Sequence, residues 1–264
     1  MKVPLIELLI NKQIEVSMAR SLILSGRVLV NSVKETRERY PVSKDAPIEI
    51  LYPKEYVSRS ARKLKAAFTK FQLNCSHQTC LDIGASTGGF TQVLLENGAF
   101  RVYAIDVGYG QLDYSIRRDT RVIVKDRANI KEIKDSWFVE SVDRIFVVCD
   151  ASFISIKTIF VTLIHFVLSS TFCYGFTGVF LLKPQFEDSQ ATEAGVLKDE
   201  KRRQEILEEV LAFMKDHSII FHGSMDSPVE GTKGNREILI YSSYRKESVV
   251  QGRNSDGQGN GEET

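Results

Sequence analysis

A glycine-rich turn between two apolar runs is the feature that most limits what this chain can fold into. Residues 79–83 form a short apolar run that contains one acid, Asp82, and a turn with glycines at 84, 88 and 89 follows. An apolar segment at 89–97 comes next, so the pattern predicts a strand, a tight turn and a helix. Glycines there let a ligand approach the backbone, and the free N–H groups of a helix start face that ligand. The turn therefore predicts a cofactor site.

Strand-like and helix-like segments alternate from residue 79 onward. Strands are predicted near 80–83, 102–105, 122–124, 144–149, 179–182 and 237–241, and helices near 89–97, 111–117, 155–168 and 201–215. This alternation predicts an α/β fold with a doubly wound, mostly parallel sheet, in which ligands bind at the carboxyl ends of the strands. Polar residues stand at or just beyond these predicted ends, namely Asp82, Asp106, Asp126, Asp150 and Lys183. We expect them to share one site.

The spacing of the glycines separates the candidate cofactors. Dinucleotide sites have the fingerprint Gly-x-Gly-x-x-Gly, and here the second glycine is absent because Ala85 and Ser86 follow Gly84. No Lys-Ser or Lys-Thr pair follows the turn, so it is not a phosphate-binding loop for ATP. An acid before the first glycine suits a cofactor that carries an amino acid, so the pattern favours S-adenosylmethionine. The predicted cofactor residues are Asp82 for the ammonium, Asp106 for the ribose, Asp126 for the adenine, and Gly84, Ser86, Thr87, Gly88, Gly89 and Phe90 in the turn. Helix capping is the alternative role for the first two acids.

Four ionisable residues are candidates for the chemistry. Lys183 ends an apolar strand and Asp150 ends its neighbour, while Glu237 opens the last strand and Lys63 starts the domain. A partly desolvated lysine beside a second cation can be neutral often enough to accept a hydroxyl proton. The alternative is a pair of ordinary salt bridges.

Basic residues are concentrated at the start of the chain. Residues 1–65 carry 13 Lys+Arg against 7 Asp+Glu, whereas the remainder carries 22 against 27. This bias predicts a polyanion partner, with a solvated basic face as the alternative. The predicted boundaries are a small α+β domain at 1–52, a linker at 53–58, the larger domain at 59–246 and a disordered tail at 247–264.

Two other features bear on the class of protein. The four cysteines form no Cys-x-x-Cys pair, so no metal site and reduced, buried thiols are expected. The uncharged stretch 158–182 is long enough to span a bilayer, but the Ser, Thr and Gly residues in its middle favour a buried helix, a turn and a buried strand. Because the first residues do not form a signal peptide, we expect a cytoplasmic protein.

The N-terminal segment resembles the small RNA-binding domain first named for ribosomal protein four of the small subunit. The resemblance is carried by Ser17, Ala19, Arg20, Leu22, Ile23, Gly26, Val28, Val30 and Asn31. It implies that Arg20, Arg27 and Lys34 contact RNA phosphates, and we expect Arg59 and Arg62 to do the same. The alternative is a helical docking module without RNA contacts.

Longer motifs resemble the TlyA family, also called haemolysin A. They are residues 56–59 with Lys63, and residues 81–91, 106–112, 152–155, 183–187 and 234–237. The resemblance implies a Rossmann-like, S-adenosylmethionine-dependent methyltransferase domain like that of FtsJ, joined to an RNA-binding domain. It also implies transfer of methyl to the ribose 2′-hydroxyl of cytidine in 16S or 23S ribosomal RNA, with ribosomal subunits as partners. The catalytic tetrad of FtsJ-like enzymes would be Lys63, Asp150, Lys183 and Glu237.

Two other functions stay open at this point. The family name and the uncharged stretch would suit a membrane-acting haemolysin. A non-catalytic RNA-binding factor for ribosome assembly would keep the same fold, although the intact tetrad argues against it.

Overall fold

The computed structural model describes residues 2–24, 26–51 and 56–246. The chain divides into two units, residues 1–55 and 56–264, and each is described by itself. The small domain was predicted to end at residue 52 and the larger domain to begin at residue 59. The division between residues 55 and 56 therefore falls inside the predicted linker. The predicted tail at 247–264 and residues 53–55 of the predicted linker lie outside the described residues.

The first unit is a small α+β domain with its own core. Its elements are β1 (Lys2–Pro4), α1 (Leu5–Asn11), α2 (Val16–Leu24), β2 (Val28–Val30), β3 (Val33–Glu35), β4 (Pro41–Ser43) and β5 (Ile48–Ile50). The antiparallel sheet has the order β3-β2-β5, and β1 pairs with β4. Buried apolar side chains from both helices and from β2 fill the core, among them Leu5, Leu9, Ile23 and Val28.

Glu15 provides the side-chain acceptor at the start of α2. The helix begins at Val16, one residue before Ser17. The carboxylate of Glu15 accepts a hydrogen bond from the backbone N–H of Met18 at 3.1 Å, and it also accepts one from the Ser17 hydroxyl. Glu15 therefore satisfies one of the free N–H groups in the first turn of α2.

The second unit contains the α/β domain. Its elements are α3 (Ala61–Phe71), β6 (Thr79–Ile83), α4 (Gly89–Glu96), β7 (Arg101–Asp106), α5 (Tyr114–Arg117), β8 (Val122–Asp126), β9 (Arg144–Cys149), α6 (Ile156–Ser169), β10 (Gly175–Leu182), α7 (Pro184–Glu187), α8 (Glu200–Asp216), β11 (Ile220–Asp226) and β12 (Ile238–Arg245). The strand order is β11-β12-β10-β9-β6-β7-β8. Strands β10, β9, β6, β7 and β8 are parallel, and β12 runs antiparallel to both of its neighbours.

Helices cover both faces of this sheet, as the alternating pattern predicted. One core packs α6 and α8 against the strands, with Phe160, Leu163 and Val210 fully or almost fully buried. The other core packs α3 and α4 against the opposite face, through side chains such as Leu64 and Leu94. The predicted α/β fold with a mostly parallel sheet is thus confirmed, whereas β11 was missed.

The uncharged stretch forms α6 and β10. Ser155 caps α6, since its side chain accepts a hydrogen bond from the N–H of Lys157 at 3.1 Å. The helix packs Phe160 and Val167 into the core, so its apolar character is used inside the domain. Among residues 2–24, 26–51 and 56–246, no helix has the length and apolar character needed to cross a bilayer.

Candidate active site

Two lysines and two acids form one continuous chain of ion pairs in the second unit. Lys63 Nζ lies 2.6 Å from Glu237 Oε2 and 3.5 Å from Asp150 Oδ2. Lys183 Nζ lies 2.7 Å from Asp150 Oδ1. The order is therefore acid, lysine, acid, lysine, with Asp150 shared by both lysines. Alternation of sign lets four charged groups stay close together in a largely buried site.

The sheet topology brings these four residues together. Asp150 follows the end of β9 and Lys183 follows the end of its parallel neighbour β10. Strand β12 runs the other way, so its start pairs with the end of β10, with Leu182 opposite Ile238. Glu237, just before β12, is thereby brought near Lys183. Lys63 comes from the first turn of α3, 174 residues before its partner Glu237.

Burial makes these ion pairs interdependent. The exposed fractions of Lys63, Lys183 and Glu237 are 6%, 8% and 3%. A buried charge is tolerated only with partners of opposite sign, because removal from water is unfavourable by several kcal/mol for each ion. Each of the four side chains is therefore held in place by its neighbours.

Ser152 completes the surroundings of Lys183, and the sequence analysis assigned it no role. Lys183 Nζ donates to Ser152 Oγ at 2.9 Å and to the backbone carbonyl of Asp150 at 3.2 Å. With the Asp150 carboxylate these partners engage all three donors of the ammonium group. Ser152 stands two residues after Asp150, inside the family motif 152–155, and this position is the signal in the sequence that could have identified it.

Glu187 anchors the segment that carries Lys183. Its Oε1 accepts a hydrogen bond from the backbone N–H of Ile156 at 2.7 Å, and its Oε2 accepts one from the Ser155 hydroxyl at 2.6 Å. A carboxylate at the start of α6 satisfies free N–H groups and interacts favourably with the helix dipole. The short helix α7 is thereby tied to the N-terminus of α6, which limits movement of the lysine.

The glycine-rich turn and the ion-pair chain line the same cavity. Its volume is about 390 Å³. From the turn it is lined by Gly84, Ala85, Ser86, Thr87 and Phe90, and from the ion-pair chain by Lys63, Asp150, Lys183 and Glu237. Gly88 and Gly89 do not line it. The predicted cofactor turn and the predicted chemistry residues thus face one space.

Two glycines are required where other elements approach the turn. Gly84 has φ +79°, and a Cβ there would lie 2.8 Å from the Cα of Ala151. The end of β6 can therefore pass close to the chain that follows Asp150. A Cβ on Gly89 would lie within 2.4 Å of the hydroxyl oxygens of Ser58 and Ser60. Glycine at the start of α4 thus makes room for the segment that leads into α3.

Asp82 is buried beneath the turn with half of its carboxylate unpaired. The residue has no exposed surface, and its Oδ2 accepts a hydrogen bond from the Thr91 hydroxyl at 2.6 Å. Its Oδ1 has no partner among the described residues. Burial raises the pKa of Asp82 to about 7, and the Thr91 hydrogen bond opposes this shift. A buried acceptor without a donor suits a ligand that carries a cation or an N–H group, such as the ammonium of S-adenosylmethionine.

The other two predicted cofactor acids lie at the ends of adjacent strands, where Asp106 of β7 is in register with Asp126 of β8. Asp106 accepts hydrogen bonds from the backbone N–H groups of Ser86 at 2.8 Å and Gly108 at 2.7 Å. Asp126 forms an ion pair with Arg117 at 2.9 Å. Neither acid lines the cavity of about 390 Å³. In this structure Asp106 holds the glycine-rich turn, and its oxygens keep lone pairs for a further donor.

The predicted RNA-contacting residues are distributed over both units. In the first unit, Arg20 forms an ion pair with Glu38 at 3.0 Å, Lys34 is exposed and Arg27 is half-buried. In the second unit Arg59 and Arg62 are both exposed, and Arg59 lines the cavity.

The potential metal ligands among the described residues are the side chains of His, Cys, Asp and Glu. In the part of the chain that the structure describes, no group of three His, Cys, Asp or Glu side chains is placed to hold a metal ion. All four cysteines are buried free thiols.

Comparison with known protein families identifies this architecture. The sequence profile of the FtsJ-like methyltransferase family matches residues 56–244. The chain belongs to this family. The FtsJ-like domain thus spans every element from α3 to β12 and contains the complete ion-pair chain.

Relatives of this FtsJ-like protein match most of the chain. "Hemolysin A" of Brachyspira hyodysenteriae is 37% identical, over 85% of this chain and 92% of that protein. The "16S/23S rRNA (cytidine-2'-O)-methyltransferase TlyA" of Mycobacterium tuberculosis is 36% identical, over 84% of this chain and 82% of that protein. The resemblance to the TlyA and haemolysin A proteins is thereby confirmed.

Solved structures of two relatives have the same fold as this FtsJ-like protein. A protein described as a hemolysin from Streptococcus thermophilus superposes with a TM-score of 0.67 and is 30% identical, covering 92% of this chain and 89% of that one. A second, from Lactococcus lactis, has a TM-score of 0.64 and 37% identity, covering 72% and 89%.

Proposed function

We propose that this FtsJ-like protein transfers a methyl group from S-adenosylmethionine to the ribose 2′-hydroxyl of cytidine in ribosomal RNA. The observation that carries the proposal is the chain of ion pairs from Glu237 to Lys183, which lines the same cavity as the glycine-rich turn. The substrate follows from relatives such as the M. tuberculosis protein, whose name specifies cytidine-2′-O-methylation of 16S and 23S rRNA.

In the proposed mechanism, the Lys183 amine accepts the proton of the 2′-hydroxyl as the oxygen attacks the methyl carbon. Asp150 and Ser152 orient Lys183 through the contacts at 2.7 and 2.9 Å. Lys63 helps to place the hydroxyl and is oriented by Glu237 at 2.6 Å. S-adenosylmethionine supplies, when bound, a methyl group on a good leaving group, so positioning contributes much of the acceleration.

The cofactor would be held by the residues of the turn and the strand ends. In this proposal Gly84, Ser86, Thr87 and Phe90 face it, and Gly88 and Gly89 shape the turn and the start of α4. Asp82 binds the methionine ammonium, directly or through water, with the Oδ1 that lacks a partner within the described residues. Asp106 accepts from the ribose hydroxyls and Asp126 from the adenine amino group.

The RNA would be bound by basic side chains in both units. The proposed phosphate contacts are Arg20, Arg27, Lys34, Arg59 and Arg62. Residues 1–52 would act as the RNA-binding domain and residues 59–246 as the methyltransferase domain. Ribosomal subunits in the cytoplasm are the proposed partners.

Labelled-methyl transfer tests this proposal. Purified protein is incubated with radiolabelled S-adenosylmethionine and ribosomal subunits from a strain that lacks the modification. We expect label in ribosomal RNA, at the 2′-oxygen of a cytidine, and none when the subunits are already methylated. Binding of the cofactor by calorimetry without label in any RNA would contradict the proposed reaction. Leakage of liposomes caused by the protein would instead support the haemolysin function.

Asp82 gives this protein a pH-dependent stability that can be measured. Its pKa is about 7 in the folded protein against an ordinary value of 3.8, so the folded state binds the proton more tightly than the unfolded state. The free energy of unfolding of the ligand-free protein should therefore fall as the pH rises from about 4 to about 7, and this contribution is constant above that range. Asp82→Asn removes the contribution, so the stability of this variant relative to the wild type should increase across the same range.

Urea unfolding at a series of pH values checks this expectation. The exposed Asp143 provides a matched control, because Asp143→Asn should leave the pH profile unchanged. Parallel profiles for Asp82→Asn and the wild type would show that Asp82 does not titrate in this range.

Affinity for S-adenosylmethionine should rise with pH through about 7 in the wild type, because the ammonium binds the carboxylate form. In Asp82→Asn the affinity for S-adenosylmethionine should be weaker than in the wild type and should not show this rise with pH.

A further inference from the structure

A second cavity is also lined by Lys183. Its volume is about 230 Å³, and its lining includes Lys183 and Glu237 together with Phe153, Gln185 and Phe186. Lys183 and Glu237 also line the larger cavity, which the glycine-rich turn borders. Lys183 therefore borders both the space proposed for the methyl donor and a second space whose lining contains no residue of that turn.

The walls of this cavity suit a flat heteroaromatic group. The rings of Phe153 and Phe186 lie 4.9 Å apart between centroids with an interplanar angle of 41°. Phe153 is 89% exposed although it is a large apolar residue, and its backbone has a left-handed φ of +62°. An exposed aromatic side chain on such a backbone is typical of a functional site. The polar residues Lys183 and Glu237 also line the cavity.

Gln185 adds a buried amide oxygen to these walls. The residue is 7% exposed, yet its Oε1 has no hydrogen-bond partner within the described part of the chain. Leaving a buried amide oxygen unpaired destabilises a protein by about 1–3 kcal/mol, so such atoms are rare unless a ligand or water satisfies them. Gln185 is two residues after Lys183, so an RNA base held by this amide would keep its own ribose close to the lysine.

We propose that the amide of Gln185 binds the base of the acceptor nucleotide and selects cytidine over uridine. This inference rests on the proposed function. Cytosine presents an exocyclic amino group, which is a donor for the unpaired Oε1, whereas uracil presents a carbonyl oxygen at the same position. An amide that keeps its oxygen toward the base accepts from the amino group of cytosine and discriminates against uracil, because two acceptors would face each other unless the amide turned over to present Nε2.

Gln185→Met tests the role of the amide with little change in volume. We expect kcat/KM for methylation of the mapped cytidine to fall roughly tenfold to hundredfold, since one buried hydrogen bond is lost. Preference for cytidine over uridine at that position should fall as well. Affinity for S-adenosylmethionine should stay close to that of the wild type, and the melting temperature should be equal or higher, because the variant removes a buried oxygen without a partner. Gln190→Met is the matched control, because Gln190 is exposed in the segment that follows α7 and should change neither rate nor preference.

A change in the RNA tests the same contact with the wild-type protein. N4,N4-dimethylcytidine at the target position removes both amino donors, and we expect it to lower the rate about as much as Gln185→Met does. Combining the two changes should add little further loss, since both remove one interaction. Additive losses, or a Gln185→Met protein with unchanged rate and preference, would overturn the assignment. Failure of the wild type to methylate any ribosomal RNA would overturn the proposed function, and with it this inference.

Discussion

Replacing Lys183 by methionine is expected to lower the rate of methyl transfer by roughly a factor of 10² to 10⁴ while binding of S-adenosylmethionine persists. Lys183 is the one lysine of the ion-pair chain that lines both cavities, at 2.7 Å from Asp150 Oδ1. Methionine keeps the length of the side chain and removes the amine that accepts the hydroxyl proton. The remaining acceleration would come from positioning of the two substrates.

Single-turnover methyl transfer and calorimetric binding of the cofactor separate these effects. Lys198→Met is a suitable control, because Lys198 pairs with Glu193 on the surface and its side chain is 70% exposed. We expect this control to behave like the wild type in both measurements. If Lys183→Met transferred methyl at the wild-type rate, Lys183 would have no part in the proton transfer.

Replacing Lys63 by methionine is expected to lower the free energy of unfolding by about 3–5 kcal/mol. The variant leaves the carboxylate of Glu237 buried without the cation that lies 2.6 Å away in the wild type. The side chain of Glu237 is only 2% exposed, so water cannot replace the lost partner. Asp150 is less affected, because it keeps Lys183 at 2.7 Å. Urea unfolding at neutral pH measures the change.

A double variant distinguishes loss of the ion pair from loss of packing. Lys63→Met with Glu237→Gln removes both charges, and we expect it to recover most of the stability that Lys63→Met loses. Methyl transfer should stay low in the double variant, since both groups belong to the proposed active site. If the double variant were no more stable than Lys63→Met, the destabilisation would come from packing around α3 and not from an unpaired carboxylate.

Local patterns were sufficient to predict most of the larger domain. The strands predicted near 102–105 and 144–149 are observed as β7 and β9, and the uncharged stretch forms the predicted buried helix and strand. Strong apolar runs and glycine turns carry this information within a few residues. Strand β11 was missed because its sequence, with His222, Gly223 and Asp226 among few apolar residues, has no clear alternation. It is an edge strand, and pairing with β12 defines it.

Helix starts were less predictable because several residues compete for the same N–H groups. Ser17 has the chemistry of an N-cap, yet Glu15 accepts the bond from Met18 in α2. Ser60 does precede α3, but its side chain makes no capping bond and lies against Ser58. Which acceptor reaches a free N–H depends on the path of the chain before the helix, and that path is set by packing.

By itself the sequence determined the class of fold, the position of the glycine-rich turn and the acids and lysine that follow the strand ends. These features depend on the order of residues along a few adjacent positions. Only the tertiary structure decided that Lys63 meets Glu237 across 174 residues, that Asp82 Oδ1 has no partner within the described residues, and that Gln185 lines a second cavity. The reason is physical: burial and pairing of polar groups depend on which strands and helices pack together, and that is a property of the whole domain.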